Sequence, residues 1–151
     1  MLLVHPRSFR ASAYDITDGT GAQIASIELT PRRDGATVRQ AENVFRIERE
    51  LPGAWQMWSG EELLYEARRP PLIEDRYLTV VTGASLEIAP DGPFLRRFKI
   101  VGPDWVEFGT LKRTGWLGKR IVSDLDDLIP LNAQLFLIVQ AIVISRRLDV
   151  G

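Results

Sequence analysis

The chain has 151 residues, of which 45% are hydrophobic and 26% charged. This length suits one domain with a sizeable core, so we expect residues 1–151 to form a single domain. A net charge of −1 argues against broad nonspecific binding to nucleic acid. The lack of cysteine excludes disulfides, thiolate nucleophiles and cysteine-based zinc sites.

The basic residues and the first residues of the chain suggest where the protein works. Arginine outnumbers lysine 16 to 3, which is typical of a GC-rich bacterial genome. The opening sequence MLLVHPRSFR has neither the apolar core nor the cleavage site of a signal peptide. We therefore expect a bacterial, cytoplasmic protein.

Short alternating segments separated by turns occupy most of the chain. The first predicted strand covers residues 9–16, and the turn at 17–21 leads into a second strand at 22–29. About 10–12 such strands with turns at this spacing indicate an all-β fold. The other predicted strands lie at 44–50, 55–58, 63–69, 77–82, 85–89, 94–101, 105–111 and 115–122, and Val38 belongs to a further short one.

The final segment differs from everything before it. Residues 135–144 contain one polar side chain, Gln140, so a helix here is apolar on nearly every side and must be enclosed. Its β-branched residues also fit a buried strand, but the segment is much longer than the usual strand of about 5–6 residues. We predict a helix over residues 128–147, with Asp127 as N-cap and Pro130 in the first turn. It falls short of the roughly 20 apolar residues that span a bilayer.

Strands followed by an enclosed helix predict one architecture. We expect a mainly β protein, a closed antiparallel β-barrel of about 10–12 strands around a central hydrophobic C-terminal α-helix. The sequence YDITDG at 14–19, the Asp-Gly turn and basic strand at 91–101, and the apolar run at 135–144 resemble the tubby C-terminal-like superfamily. The likeness is greatest to its small LURP-one-related members, which are relatives of the phospholipid scramblases.

That resemblance implies binding of a lipid or a protein rather than catalysis. Tubby domains bind phosphoinositide headgroups through paired basic residues, although no local motif transfers those positions to this chain. Scramblases carry a palmitoylated cysteine-rich segment, and the lack of cysteine here puts scramblase-like activity in doubt.

A basic segment is the candidate binding site. Residues 94–123 carry seven basic and two acidic side chains, a net charge of +5, against −6 for the rest of the chain. Such a segment can attract anionic headgroups, and a tryptophan between two basic pairs suits a membrane interface. The alternative is a set of solvated strand faces. The candidates are Arg96, Arg97, Lys99, Lys112, Arg113, Trp116, Lys119 and Arg120.

Other polar residues carry weaker signals. Asp124, Asp126 and Asp127 lack the spacing of a calcium loop, and helix capping explains them more simply. His5 has no second histidine or cysteine to complete a metal site. The adjacent carboxylates at 61–62 and 74–75 face opposite ways on a strand. The large aromatic residues are expected to fill the core; they are Trp55, Trp58, Tyr65, Trp105 and Trp116.

These observations lead to one functional hypothesis and two alternatives. We expect a non-catalytic binding module for an anionic membrane surface or a protein partner, without a catalytic residue, metal ion, cofactor or nucleic acid. It would be cytoplasmic, at times peripheral at the inner membrane face. The first alternative is a carrier of a small hydrophobic ligand, and the second is a hydrolase. The oligomeric state is left open.

Overall fold

The computed structural model describes residues 1–8, 12–31, 35–51, 54–68, 77–81, 84–93, 96–115 and 119–150. These described residues form twelve strands and one long helix, α1, with a short 3₁₀ turn at Pro103–Trp105. The strands are β1 Leu2–Pro6, β2 Ala13–Thr17, β3 Gln23–Leu29, β4 Gly35–Gln40, β5 Asn43–Leu51, β6 Ala54–Ser59, β7 Glu62–Arg68, β8 Tyr77–Val81, β9 Ala84–Pro90, β10 Arg97–Val101, β11 Glu107–Thr114 and β12 Arg120–Leu125; α1 is Leu131–Val150.

All strands belong to one antiparallel sheet. Consecutive strands pair with each other, and β1 pairs both with β2 and, through Leu3 opposite Val122, with β12. The strands therefore follow one another around a closed barrel. The prediction of a mainly β, antiparallel fold with one C-terminal helix is confirmed.

Helix α1 lies inside this sheet. Every side chain from residue 135 to residue 142 is at most 3% exposed, which requires cover on all sides of the helix rather than along one stripe. Phe136 and Leu137 belong to the same buried cluster as Met57 of β6 and Phe98 of β10. Within the described residues, no helix is both long and apolar enough to cross a membrane.

The helix begins three residues later than the sequence predicts. The Pro130 carbonyl accepts a hydrogen bond from the Gln134 amide at 3.0 Å, so Pro130 occupies the N-cap position and the prediction of Asp127 as N-cap is wrong. The residue before a proline disfavours the α conformation, which explains why the helix starts only after Pro130. Asp126 instead orders the preceding turn, where its carboxylate accepts the Leu128 amide at 2.8 Å.

Several strand boundaries also differ from the prediction. Strand β1 is not among the predicted strands, because only Leu2 and Val4 are apolar and buried in a five-residue strand that ends at a proline. The strand predicted at 105–111 is β11 at Glu107–Thr114, because Pro103–Trp105 forms the 3₁₀ turn. The strand predicted at 115–122 is likewise β12, which begins at Arg120.

Alternate connections of an antiparallel barrel lie at the same end. We call the end where α1 begins the upper end and the end where it finishes the lower end. At the upper end the Tyr65 hydroxyl donates to Asn132 Oδ1 at 2.7 Å, and its ring stacks on Phe136 with centroids 6.2 Å apart. At the lower end Arg146 donates to the Tyr14 hydroxyl at 2.9 Å. Each half of the helix is thus tied to the barrel by one tyrosine.

Candidate anion-binding surface

The predicted basic segment folds into three neighbouring strands, β10, β11 and β12. Side chains alternate between the two faces of a strand, and Phe98, Leu111 and Ile121 are buried in the core. The neighbouring cations therefore face outward on one side of the barrel. They are Arg97 and Lys99 on β10, Lys112 on β11 and Arg120 on β12.

Strand register brings these cations close together. Arg97 lies directly opposite Lys112 in the β10–β11 ladder, where side chains face each other at about 5 Å between Cβ atoms. Arg96 is exposed just before β10, and its carbonyl accepts the Arg113 amide at 2.7 Å. We call the set of Arg96, Arg97, Lys99, Lys112 and Arg120 the basic wall; Lys99 is half-buried and the other four are exposed.

Most of this charge is not neutralised within the protein. The Arg97 guanidinium forms an ion pair with Asp91 at 3.1 Å. Within the described part of the chain, the side chains of the other four cations of the basic wall form no ion pair or hydrogen bond. Like charges placed across a strand pair destabilise a sheet, so folding alone does not account for a lysine opposite Arg97.

Three predicted site residues do not belong to this wall. Arg113 lies on the same strand face as the buried Leu111 and is itself half-buried. Lys119 is also half-buried, at the start of β12. Both already interact within the protein. Trp116 lies outside the described residues. The structure therefore brings together five of the seven predicted cations.

The upper end carries a second charged feature that the sequence reading missed. The described turns at that end, at 18–22, 41–42, 60–61, 102–106 and 126–130, contain six carboxylates and no lysine or arginine. We call this set the acidic rim; it consists of Asp18, Glu42, Glu61, Asp104, Asp126 and Asp127. Adding up the charges of alternate turns would have revealed it, but this requires the correct number of strands, including β4.

Two carboxylates of the acidic rim have structural roles. Asp18 Oδ1 accepts the Thr20 hydroxyl at 2.6 Å and the amides of Thr20 and Ala22, and the bond from the Thr20 hydroxyl is the main reason why the pKa of Asp18 is lowered. Asp126 orders the turn before α1. The rim as a whole also faces the positive end of the α1 dipole, which favours negative charge there.

The remaining candidates show no reactive geometry. His5 Nε2 lies 3.2 Å from the Thr17 hydroxyl, and no group of three or more metal-ligating side chains occurs in the described part of the chain. Trp55 is 5% exposed, as expected for the core. Trp105 is 69% exposed, so the prediction that it fills the core is wrong, because its turn projects beyond the strands. Glu74 and Asp75 lie outside the described residues.

Comparison with known proteins gives one informative match. No family model matches the chain, and no curated protein does. The chain is similar to the crystal structure of a protein from Arabidopsis thaliana, with a TM-score of 0.60 and 14% sequence identity over 98% of this chain and 90% of that one. A likeness at this sequence identity shows a shared fold, so the function has to be argued from the candidate site.

Proposed function

We propose that this protein is a non-catalytic binding module whose basic wall docks on an anionic membrane surface. The observation that carries the proposal is the unpaired charge of Arg96, Lys99, Lys112 and Arg120, which lie on or beside three adjacent strands; Lys99 is half-buried and the other three are exposed. Cations on neighbouring strands can face one anionic surface at the same time. Binding of this kind needs no pocket, because a membrane supplies many headgroups side by side.

The expected binding energy is modest and depends on salt. Each basic residue near an anionic leaflet contributes about 1 kcal/mol, so four unpaired cations give roughly 4 kcal/mol, which is reversible binding. Exposed charges are screened beyond a Debye length of about 8 Å at physiological ionic strength. The acidic rim is repelled by the same leaflet, which favours docking with the upper end turned away from it.

Two further proposals concern where the protein works and which proteins it is related to. We propose that the protein works in the cytoplasm and binds peripherally at the inner face of the membrane. Its barrel and enclosed helix support the proposed relationship to the tubby C-terminal-like superfamily, nearest to LURP-one-related proteins. The two alternatives gain less support. Side chains of α1 occupy the interior that a carrier would need, and the described carboxylates form no recognisable catalytic pair.

Vesicle flotation tests the proposal with a matched pair of charge reversals. Lys112→Glu reverses one charge of the basic wall and places a carboxylate opposite Arg97, so the fold is retained. A change of two charge units near the leaflet corresponds to about 2 kcal/mol, or roughly 30-fold weaker binding to vesicles of phosphatidylserine and phosphatidylcholine. Arg39→Glu is the control, because Arg39 is exposed on β4, across the barrel from β10.

The control decides whether the location of the charge matters. We expect Arg39→Glu to bind nearly as well as the unchanged protein, and none of the three proteins to float with pure phosphatidylcholine. Equal losses for Lys112→Glu and Arg39→Glu would show a net-charge effect without a site. Equal flotation of the unchanged protein on neutral and anionic vesicles would refute the proposal.

A further inference from the structure

We infer that the upper end of the barrel is a second docking surface, which binds a cationic protein segment carrying apolar side chains. Two neighbouring turns at that end, 102–106 and 126–130, carry three exposed large apolar side chains, Trp105, Val106 and Leu128, which we call the apolar patch. Trp105 is 69% exposed, Val106 54% and Leu128 81%. Soluble proteins seldom leave such residues grouped in the open unless they contact something else.

The two turns are neighbours on the rim. Trp105 and Val106 lie in the connection from β10 to β11, and Leu128 lies in the connection from β12 to α1. Strands β11 and β12 pair side by side, about 4.8 Å apart. The Asp126 amide extends this pairing by donating to the Phe108 carbonyl at 2.7 Å, which joins the base of one turn to the base of the other.

The backbone conformation at Trp105 indicates that folding does not require an exposed tryptophan at this position. Asp104 and Trp105 have φ values of +60° and +61°, in the left-handed region where a bulky side chain is disfavoured. A glycine or an asparagine would fit this turn better. The turn instead holds a large aromatic side chain in water, and strained residues of this kind concentrate at binding and functional sites.

The carboxylates around the apolar patch indicate which kind of partner would bind there. Asp104, Asp126 and Asp127 flank the three apolar side chains and are all exposed, and no lysine or arginine lies in these two turns. Compensation of the helix dipole accounts for carboxylates beside α1, but it does not account for an exposed tryptophan and leucine. A partner that covers the patch must therefore supply positive charge around an apolar centre.

The apolar patch and the basic wall would bind different partners, because the charges around them are opposite. An anionic leaflet would be repelled by the acidic rim, so the exposed tryptophan and leucine are not membrane anchors. A cationic, apolar protein segment satisfies both features, because its leucines can cover Trp105 and Leu128 while its lysines pair with the rim. The inference is independent of the proposed membrane function, since it rests on the turns at the upper end rather than on the outward strand faces of the basic wall.

Fluorescence anisotropy with synthetic peptides tests the inference. The probe is a short labelled peptide of lysine and leucine, with two companion peptides in which glutamate replaces lysine or serine replaces leucine. We expect only the lysine–leucine peptide to bind, with affinity that falls as salt is added. Trp105→Gly should weaken binding about tenfold or more, as loss of a central aromatic contact does.

The variants keep loss of binding separate from loss of folding. Glycine suits the backbone of residue 105, so Trp105→Gly should unfold at the same or a higher temperature than the unchanged protein. Leu128→Ser should weaken peptide binding as well. Val44→Thr is the control, because Val44 is 49% exposed near the start of β5, at the upper end but across the barrel from the apolar patch. This substitution should leave peptide binding unchanged.

Other results would overturn the inference. Binding of the glutamate–leucine peptide with equal affinity would show nonspecific hydrophobic binding that does not depend on positive charge. Equal losses for Val44→Thr and Trp105→Gly would remove the assigned location. If Trp105→Gly left peptide binding intact but abolished a salt-sensitive association of the protein with itself, the occupant would be the basic wall of a second copy rather than a foreign segment.

Discussion

The two ends of this barrel close around the same helix with opposite charges. The upper end surrounds the start of α1 with carboxylates, whereas the basic wall and Arg146 lie toward its finish. Each arrangement complements the adjacent end of the helix dipole. Toward the lower end, four of the five cations of the basic wall have no ion-pair partner among the described residues. The upper end carries exposed apolar side chains as well as carboxylates. The helix dipole thus accounts for the sign of the charge at each end, but not for the unpaired cations and the exposed apolar side chains on which the two proposals rest.

The two hydrogen bonds between tyrosines and α1 also differ between the two ends. Tyr14 is 4% exposed and accepts a hydrogen bond from a charged guanidinium. Tyr65 is half-buried and donates to a neutral amide oxygen. Hydrogen bonds to charged groups are worth about 1.5–3 kcal/mol, against about 1 kcal/mol for neutral ones. The lower attachment of the helix is therefore expected to be the stronger one.

The largest effect should come from the region between the two ends. Phe136→Ala removes a side chain that is 0% exposed and should lower the free energy of unfolding by about 3–5 kcal/mol. Leu128→Ala, at a residue 81% exposed, should change it by less than about 0.5 kcal/mol. Urea denaturation of both variants gives the comparison. Similar losses for the two would mean that α1 is not enclosed.

The lower attachment gives the next largest effect. Tyr14→Phe removes the hydroxyl that accepts from Arg146 and should cost about 1.5–3 kcal/mol of unfolding free energy. The loss should fall toward the lower value, because Arg146 keeps another interaction. Thermal and urea unfolding measure it. A cost below that of Tyr65→Phe would reverse the predicted order of the two attachments.

The upper attachment should show a smaller loss that depends on pH. Tyr65→Phe removes one neutral hydrogen bond, at a cost of about 1 kcal/mol near neutral pH. Burial raises the pKa of Tyr65 above its ordinary value of 10.0, so the native protein holds this proton more tightly than the unfolded chain. The contribution is complete below pH 10.0 and is lost as the pH rises through the native pKa.

Stability curves at alkaline pH check that sign. The stability of the unchanged protein should fall more steeply above pH 10 than that of Tyr65→Phe, since both share the other ionisable groups. The gap between the two proteins should therefore narrow as the pH increases. Parallel curves would show that Tyr65 ionises equally easily in the folded and unfolded states.

The enclosed helix and the basic strands could be predicted because their signals are local. A ten-residue run with Gln140 as its single polar side chain requires burial on all sides whatever surrounds it. The alternation around Phe98 and Leu111 likewise fixes which cations face outward once the strands are given. The helix begins later than the good capping residue Asp127 indicates, because Pro130 disfavours the α conformation of the residue before it.

The sequence by itself determined that a mainly β chain must enclose its apolar final helix, since water cannot be left against any side of that segment. Only the tertiary structure decided which charges become neighbours. Carboxylates from five separate turns gather at one end because alternate connections of an antiparallel barrel share that end. Trp105 likewise became a surface residue because its turn projects beyond the strands, a position that hydrophobicity alone does not reveal.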